Sequence, residues 1–97
     1  MKAIFLAFNQ AHKEDINTLF MHLNIKGYTV WETVVGAGTK GGEPHLGSHS
    51  WPTLNSAYIT MVPDEKVEPV MTALKELDNS SPQLGLRAFS WSVEQTI

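Results

Sequence analysis

Hydrophobic and polar positions follow two rhythms along this chain. Residues 3–8, AIFLAF, form a short apolar run bounded by Asn9, which predicts a buried strand. Residues 12–26 then take up helical spacing, with Ile16, Leu19, Phe20 and Leu23 on one stripe and Met21 and His22 off it. Glu14 and Asp15 in the first turn and Lys26 near the end complement the helix dipole, and Gly27 supplies a stop. Residues 28–37 are rich in β-branched and aromatic side chains and predict a second strand; residues 55–62 predict a third. Pro63-Asp64 opens a second helix, with Asp64 as its N-cap and Glu65 and Glu68 in the positive first turn. Its stripe is Val67, Val70, Met71, Leu74 and Leu77. Pro69 sits early enough to cost about one helical hydrogen bond. Asn79-Ser80-Ser81-Pro82 ends this helix, and residues 86–93 alternate as a fourth strand.

The order strand, helix, strand, strand, helix, strand predicts an α+β fold of the ferredoxin-like βαββαβ kind, an antiparallel sheet with both helices on one face. The alternation sorts the strands into two sets. One holds Ala3, Phe5, Ala7, Val30, Val34, Ala57, Ile59 and Met61. The other holds Ile4, Leu6, Phe8, Trp31, Val35, Tyr58, Val62, Phe89, Trp91 and Val93. The letters do not say which set meets the helices. Either way, the face left over is too apolar to stand in water alone. Self-association through the sheet covers it, or else the long loop between strands two and three folds back over it.

Composition narrows the class. The chain has 97 residues, enough for one domain with a modest core. The net charge of −3 argues against nucleic acid as a partner, which needs a basic face. No cysteine is present, which excludes disulfides and thiolate chemistry. The opening MKAIFLAF is too short an apolar run for a signal peptide and lacks a cleavage site, so a cytoplasmic location is expected.

Candidate chemistry gathers in residues 36–53, between strands two and three. Gly36, Gly38, Gly41 and Gly42 let backbone N–H groups approach an anion, with Lys40 adding charge, or they simply supply positive φ in a flexible connection. His45 and His49, with Glu43 nearby, have the chemistry of a divalent-metal site, or they belong to a solvated loop. Pro44 and Gly47 argue against a helix that would align them. Trp51-Pro52 either stacks on a ligand or pins the loop's return. His12 and His22 read as surface or capping residues. Glu32, on the pleat side of Val30 and Val34, is a candidate partner for Lys40 or Arg87. No Ser-His-Asp order in a nucleophile context and no paired carboxylates in a cleft are evident, so the chain does not read as an enzyme.

Three stretches carry a resemblance: IKGYTV after helix one, GAGTKGG after strand two, and MVPDEKVEPVMTAL from strand three into helix two. In this order they resemble the nitrogen-regulatory PII signal-transduction family and its PII-like relatives, over nearly the whole chain. The resemblance implies a homotrimer of ferredoxin-like subunits with facing sheets. It also implies a long T-loop between strands two and three, and a nucleotide held between subunits at that loop's base. By position, Gly36, Gly38, Thr39 and Lys40 match the start of the T-loop, and Arg87 after Gly85 matches a phosphate-gripping residue. The chain departs from the nitrogen regulators in its short loop, its reduced Gln83-Leu84-Gly85 segment, and the absence of a basic C-terminal segment after Ile97.

The resulting expectation is a PII-like regulatory protein that binds a small anionic effector, such as a nucleotide, between subunits. It would signal through residues 36–51 to a membrane transporter or an enzyme. The alternative is a CutA-like protein responding to a divalent metal through His45 and His49. A third class is a small ferredoxin-like enzyme that uses a cavity between sheet and helices.

Overall fold

The computed structural model describes residues 1–38 and 54–97. Its elements are β1 (Lys2–Asn9), a 3-10 turn (Gln10–His12), α1 (Lys13–His22), β2 (Tyr28–Val34), β3 (Asn55–Val62), α2 (Asp64–Ser80) and β4 (Leu86–Ser92). The described strands form one four-stranded sheet in the order β2-β3-β1-β4, antiparallel at each step. This is the predicted ferredoxin-like arrangement. Both central strands, β1 and β3, are long and apolar; β2 and β4 are the edges.

The core lies between sheet and helices. Ile4, Leu6 and Phe8 from β1 pack with Tyr58 and Val62 from β3 and Leu86 from β4. Ile16 and Phe20 from α1 and Val70 and Leu74 from α2 close over them. Both predicted helical stripes therefore point inward. Phe8, Phe20 and Tyr28 surround Tyr58, whose ring stacks on Tyr28 at 5.5 Å while Phe8 and Phe20 meet it edge-on. The Tyr58 hydroxyl donates to Asn17 Oδ1 at 2.6 Å, so the buried ring keeps its polar end satisfied.

The set holding Ile4, Leu6 and Phe8 faces the helices, and two strands fall differently from the alternation reading. Trp31 lies opposite Ala57, Phe89 opposite Phe5 and Trp91 opposite Ala3, so these three aromatics share the open face with Phe5 and Met61. Val30 lies opposite Tyr58 and points to the helices. Alternation within a strand fixes which residues share a face, but the register between strands decides which face that is. In β2 a bulge adds to the difficulty. Glu32 and Thr33 together oppose Ser56, which puts Trp31 and Val34 on the same face.

The helix ends also correct the sequence reading. α1 stops at His22, and Asn24, with φ of 59°, is the left-handed residue expected at Gly27. The Ile25 amide donates to the Phe20 carbonyl at 2.8 Å and the Asn24 amide to Met21 at 3.1 Å, a Schellman closure with Ile25 tucked into the core. The cation at this end is Lys66 of α2 rather than Lys26. Its ammonium donates to the Leu23 and Asn24 carbonyls at 3.0 and 2.9 Å. α2 is capped by Pro63, with Asp64 already helical, and it runs through Pro69 without breaking. Asp64 instead accepts from the Met1 amino group at 2.8 Å. That hydrogen bond and charge hold its carboxyl below the usual carboxylate range. No helix among the described residues is long and apolar enough to cross a membrane.

Candidate ligand site at the loop base

Strand direction places the candidate residues. β1 ends at Asn9, β3 begins at Asn55, β2 ends at Val34 and β4 begins at Leu86, all at one end of the sheet. Gly36 and Gly38 leave β2 there, and Gly85 and Arg87 enter β4 there. The two groups sit on opposite edges, three strand spacings or about 14 Å apart. The fold thus brings them to one end without bringing them together within a protomer. Thr39, Lys40, His45, His49 and Trp51 lie outside the described residues.

Nothing in the described fold demands glycine at 36 or 38. A methyl group at 36 would lie 3.7 Å from Asn55 Nδ2, an ordinary contact, and one at 38 would meet nothing within 4 Å. Among the described glycines the left-handed conformation belongs to Gly85, with φ of 84°. The positive-φ explanation for Gly36 and Gly38 therefore falls away. Gly36 makes a single bridge beyond β2.

Arg87 is exposed on the open face, with its guanidinium carbon 5.6 Å from the centre of the Phe89 ring. That stacking holds a permanently charged fork beside the loop-base end of β4.

The expected pairing of Glu32 with Lys40 falls outside the described residues, and within the protomer Glu32 pairs with Lys13 rather than with Arg87. Its carboxylate accepts from Lys13 Nζ of α1 at 2.8 Å, which raises the Lys13 pKa chiefly through that hydrogen bond. Its carbonyl accepts from Ser56 Oγ at 2.6 Å and from Gln10 Nε2 at 3.1 Å. Gln10 Nε2 also lies 3.4 Å from Thr33 Oγ1, and the Gln10 amide donates to the Leu54 carbonyl at 3.1 Å. The Asn9 amide donates to Gly85 at 3.2 Å, and its side chain caps the 3-10 turn through the Ala11 amide at 2.9 Å. Sequence reading missed Gln10 and Lys13, whose partners lie 19 to 23 residues away. His12, expected at the surface or in a cap, is buried at the N-cap position of α1, where its side chain makes no capping hydrogen bond; Nδ1 lies 4.0 Å from Asp15 and Nε2 has no hydrogen-bond partner among the described residues. His22 is exposed. The described residues contain no group of three His, Asp or Glu side chains able to hold a metal.

The open face is the other feature of note. Trp31, Met61, Phe89 and Trp91 are each about half exposed there, at 47, 50, 50 and 47%. A concavity lined by Ala3, Met61, Trp91 and Val93 marks its lower end.

Solved structures with this fold include the nitrogen regulatory PII-like protein CPII from Thiomonas intermedia K12, bound to ADP, AMP and bicarbonate. It is 23% identical, with a TM-score of 0.75 over 93% of this chain and 82% of that one. The apo form of CPII superposes with a TM-score of 0.61 at 21% identity, over 95% of this chain and 89% of that one. A PII-like signaling protein from Thermus thermophilus gives 0.67 at 21% identity, over 93% and 83%. No curated protein sequence matches the chain significantly. The sequence profile of the family described as nitrogen regulatory protein P-II matches residues 1–97. The chain belongs to that family of signalling proteins.

Proposed function

We propose that this chain is a trimeric PII-like regulator that binds a small anionic effector, with an adenine nucleotide such as ADP first in line, in a cleft between subunits. Residues 36–51 then carry the signal to a membrane transporter or an enzyme, and the protein itself catalyses no reaction. A cytoplasmic location belongs to this reading. The observation that carries it is the placement of Gly36 and Gly38 on one sheet edge and Arg87 on the other, at the same end. Glycines that the fold does not require leave room for a phosphate to approach the backbone there, and Arg87 supplies the fixed positive charge. About 14 Å separates the two edges, so one diphosphate meets both only where the β2 edge of one subunit approaches the β4 edge of the next.

Two further facts support the reading. Trp31, Met61, Phe89 and Trp91 leave a half-exposed apolar face that self-association would cover, and PII-family proteins are generally trimers. CPII, which shares the fold, binds ADP, AMP and bicarbonate, ligands whose common chemistry is small and anionic. The metal-response alternative gains nothing from the family assignment, and its residues His45 and His49 lie outside the described part of the chain. Titration calorimetry with ADP on the wild-type protein and on Arg87→Ala tests the proposal. It predicts saturable binding by the wild type, weakened at least tenfold in the variant, since a charge-assisted hydrogen bond contributes about 1.5–3 kcal/mol. Absence of heat with ADP, AMP and bicarbonate alike would remove it.

A further inference from the structure

The β1–α1 junction, residues 9–13, reaches three places that matter to the site. Asn9 binds the carbonyl of Gly85, just before β4, and Gln10 binds that of Leu54, just before β3. Gln10 and Lys13 together bind Glu32 and Thr33, the bulge four residues before Gly36. A bulge on an edge strand leaves a carbonyl outside the ladder, and one donor would satisfy it. Here three side chains from three other elements converge on Glu32: Ser56 and Gln10 on its carbonyl, Lys13 on its carboxylate. Ser56 is fully buried and anchors the bulge from below. Gln10 and Lys13 grip it from the helix layer.

We infer that Gln10 and Lys13 are positioning residues: they latch the Glu32-Thr33 bulge to the start of α1 and so set the course of the backbone through Gly36 and Gly38. Bulges bend a strand and re-aim the residues beyond them, so the angle at which β2 delivers these glycines depends on the groups that hold the bulge. The latch matters for ligand affinity only if the effector site proposed above is correct, whereas its hold on the backbone does not depend on that reading.

The test uses full-length protein without ligand and follows amide hydrogen exchange along β2. Gln10→Glu keeps the size of the side chain but replaces the donor facing the Glu32 carbonyl with an oxygen. Exchange at residues 33–38 is expected to accelerate about tenfold, the scale of one lost hydrogen bond and the repulsion of two facing oxygens, while residues 28–31 of the same strand stay unchanged. Gln10→Ala, a milder change, moves the same amides by a smaller factor. Lys13→Glu acts in the same direction, and the charge-swapped pair Lys13→Glu with Glu32→Lys restores protection. A merely structural role would raise exchange evenly along β2. Even acceleration, or no change at 33–38, overturns the inference.

An ADP titration runs alongside. Affinity that falls in step with lost protection supports the positioning role, and unchanged affinity with accelerated exchange contradicts it. If ADP fails to bind the wild type, the effector reading fails, and exchange alone still decides the latch.

Discussion

Phe5 and Phe89 lie directly opposite each other across the β1–β4 ladder, on the face that the helices leave bare. Phe89 is half exposed, and Trp91, Trp31 and Met61 extend the same surface. Covering each of these large side chains is worth roughly 1–2 kcal/mol. Sedimentation of the wild type should therefore give the mass of three chains. Phe89→Glu or Trp91→Glu should give one chain, with far-UV circular dichroism retained because neither side chain supports the core.

Lys66 and Asn24 together finish α1. Lys66→Met removes two charge-assisted bonds to the last carbonyls and should lower stability by about 1–3 kcal/mol in urea melts. Asn24→Ala places a Cβ-bearing residue with no local hydrogen-bonding side chain at φ of 59° and should cost about 1 kcal/mol. Asn24→Gly should be neutral or slightly stabilising. Equal melts for the alanine and glycine variants would contradict the left-handed cap.

Stability should fall at both ends of the pH scale for different reasons. Asp64 is held below its unfolded value by the Met1 amino group, so its contribution is present above about pH 4 and is lost as pH falls through the lower folded value. Acetylating the amino group should flatten that acid limb. Lys13 is raised by its hydrogen bond to Glu32, and Tyr58 by burial of its ring. Their contributions hold below about pH 10 and are lost as pH rises through the folded values. Thermal melts from pH 3 to 11 check both limbs, and Glu32→Gln should weaken the alkaline one.

Gly36→Ala and Gly38→Ala separate folding from binding. Neither methyl group meets an obstacle in the described residues, so melting temperatures should stay within about 2 °C of the wild type. ADP affinity should drop severalfold if phosphate approaches the backbone there. Variants that bind ADP unchanged would move the ligand away from these glycines.

Much of the fold was legible in the letters because two helical stripes, Ile16 to Leu23 and Val67 to Leu77, sit between short strands. Strand β3 is read to the residue. What escaped were relationships between distant segments. The faces of Trp31, Phe89 and Trp91 depend on inter-strand register and on the Glu32-Thr33 bulge, which no single strand encodes. The end of α1 escaped because Asn24 adopts the left-handed conformation three residues before the glycine that seemed suited to it. At the site, Gly36, Gly38 and Arg87 were visible as residue types, and the fold puts them at one end of the sheet. Glu32 stands out in the sequence as a carboxylate within a strand, but its partner is Lys13, nineteen residues earlier at the start of α1. His12 reads as a surface or capping residue; it does sit at the N-cap of α1, and its burial is hidden from the letters because it arises in the turn ahead of the helical stripe.

The central claim is that one effector cleft draws its glycines and its arginine from different subunits. Complementation tests it most directly. Gly38→Asp and Arg87→Ala subunits are each defective alone, but when co-expressed and mixed at random they rebuild an intact cleft wherever the Gly38 of one subunit meets the Arg87 of the next. In a three-fold ring about one cleft in four is then intact, so ADP calorimetry on the mixture should recover about a quarter of the wild-type sites at wild-type affinity. If Gly38 and Arg87 served a cleft within one subunit, every cleft would carry a defect, and the mixture would recover no binding.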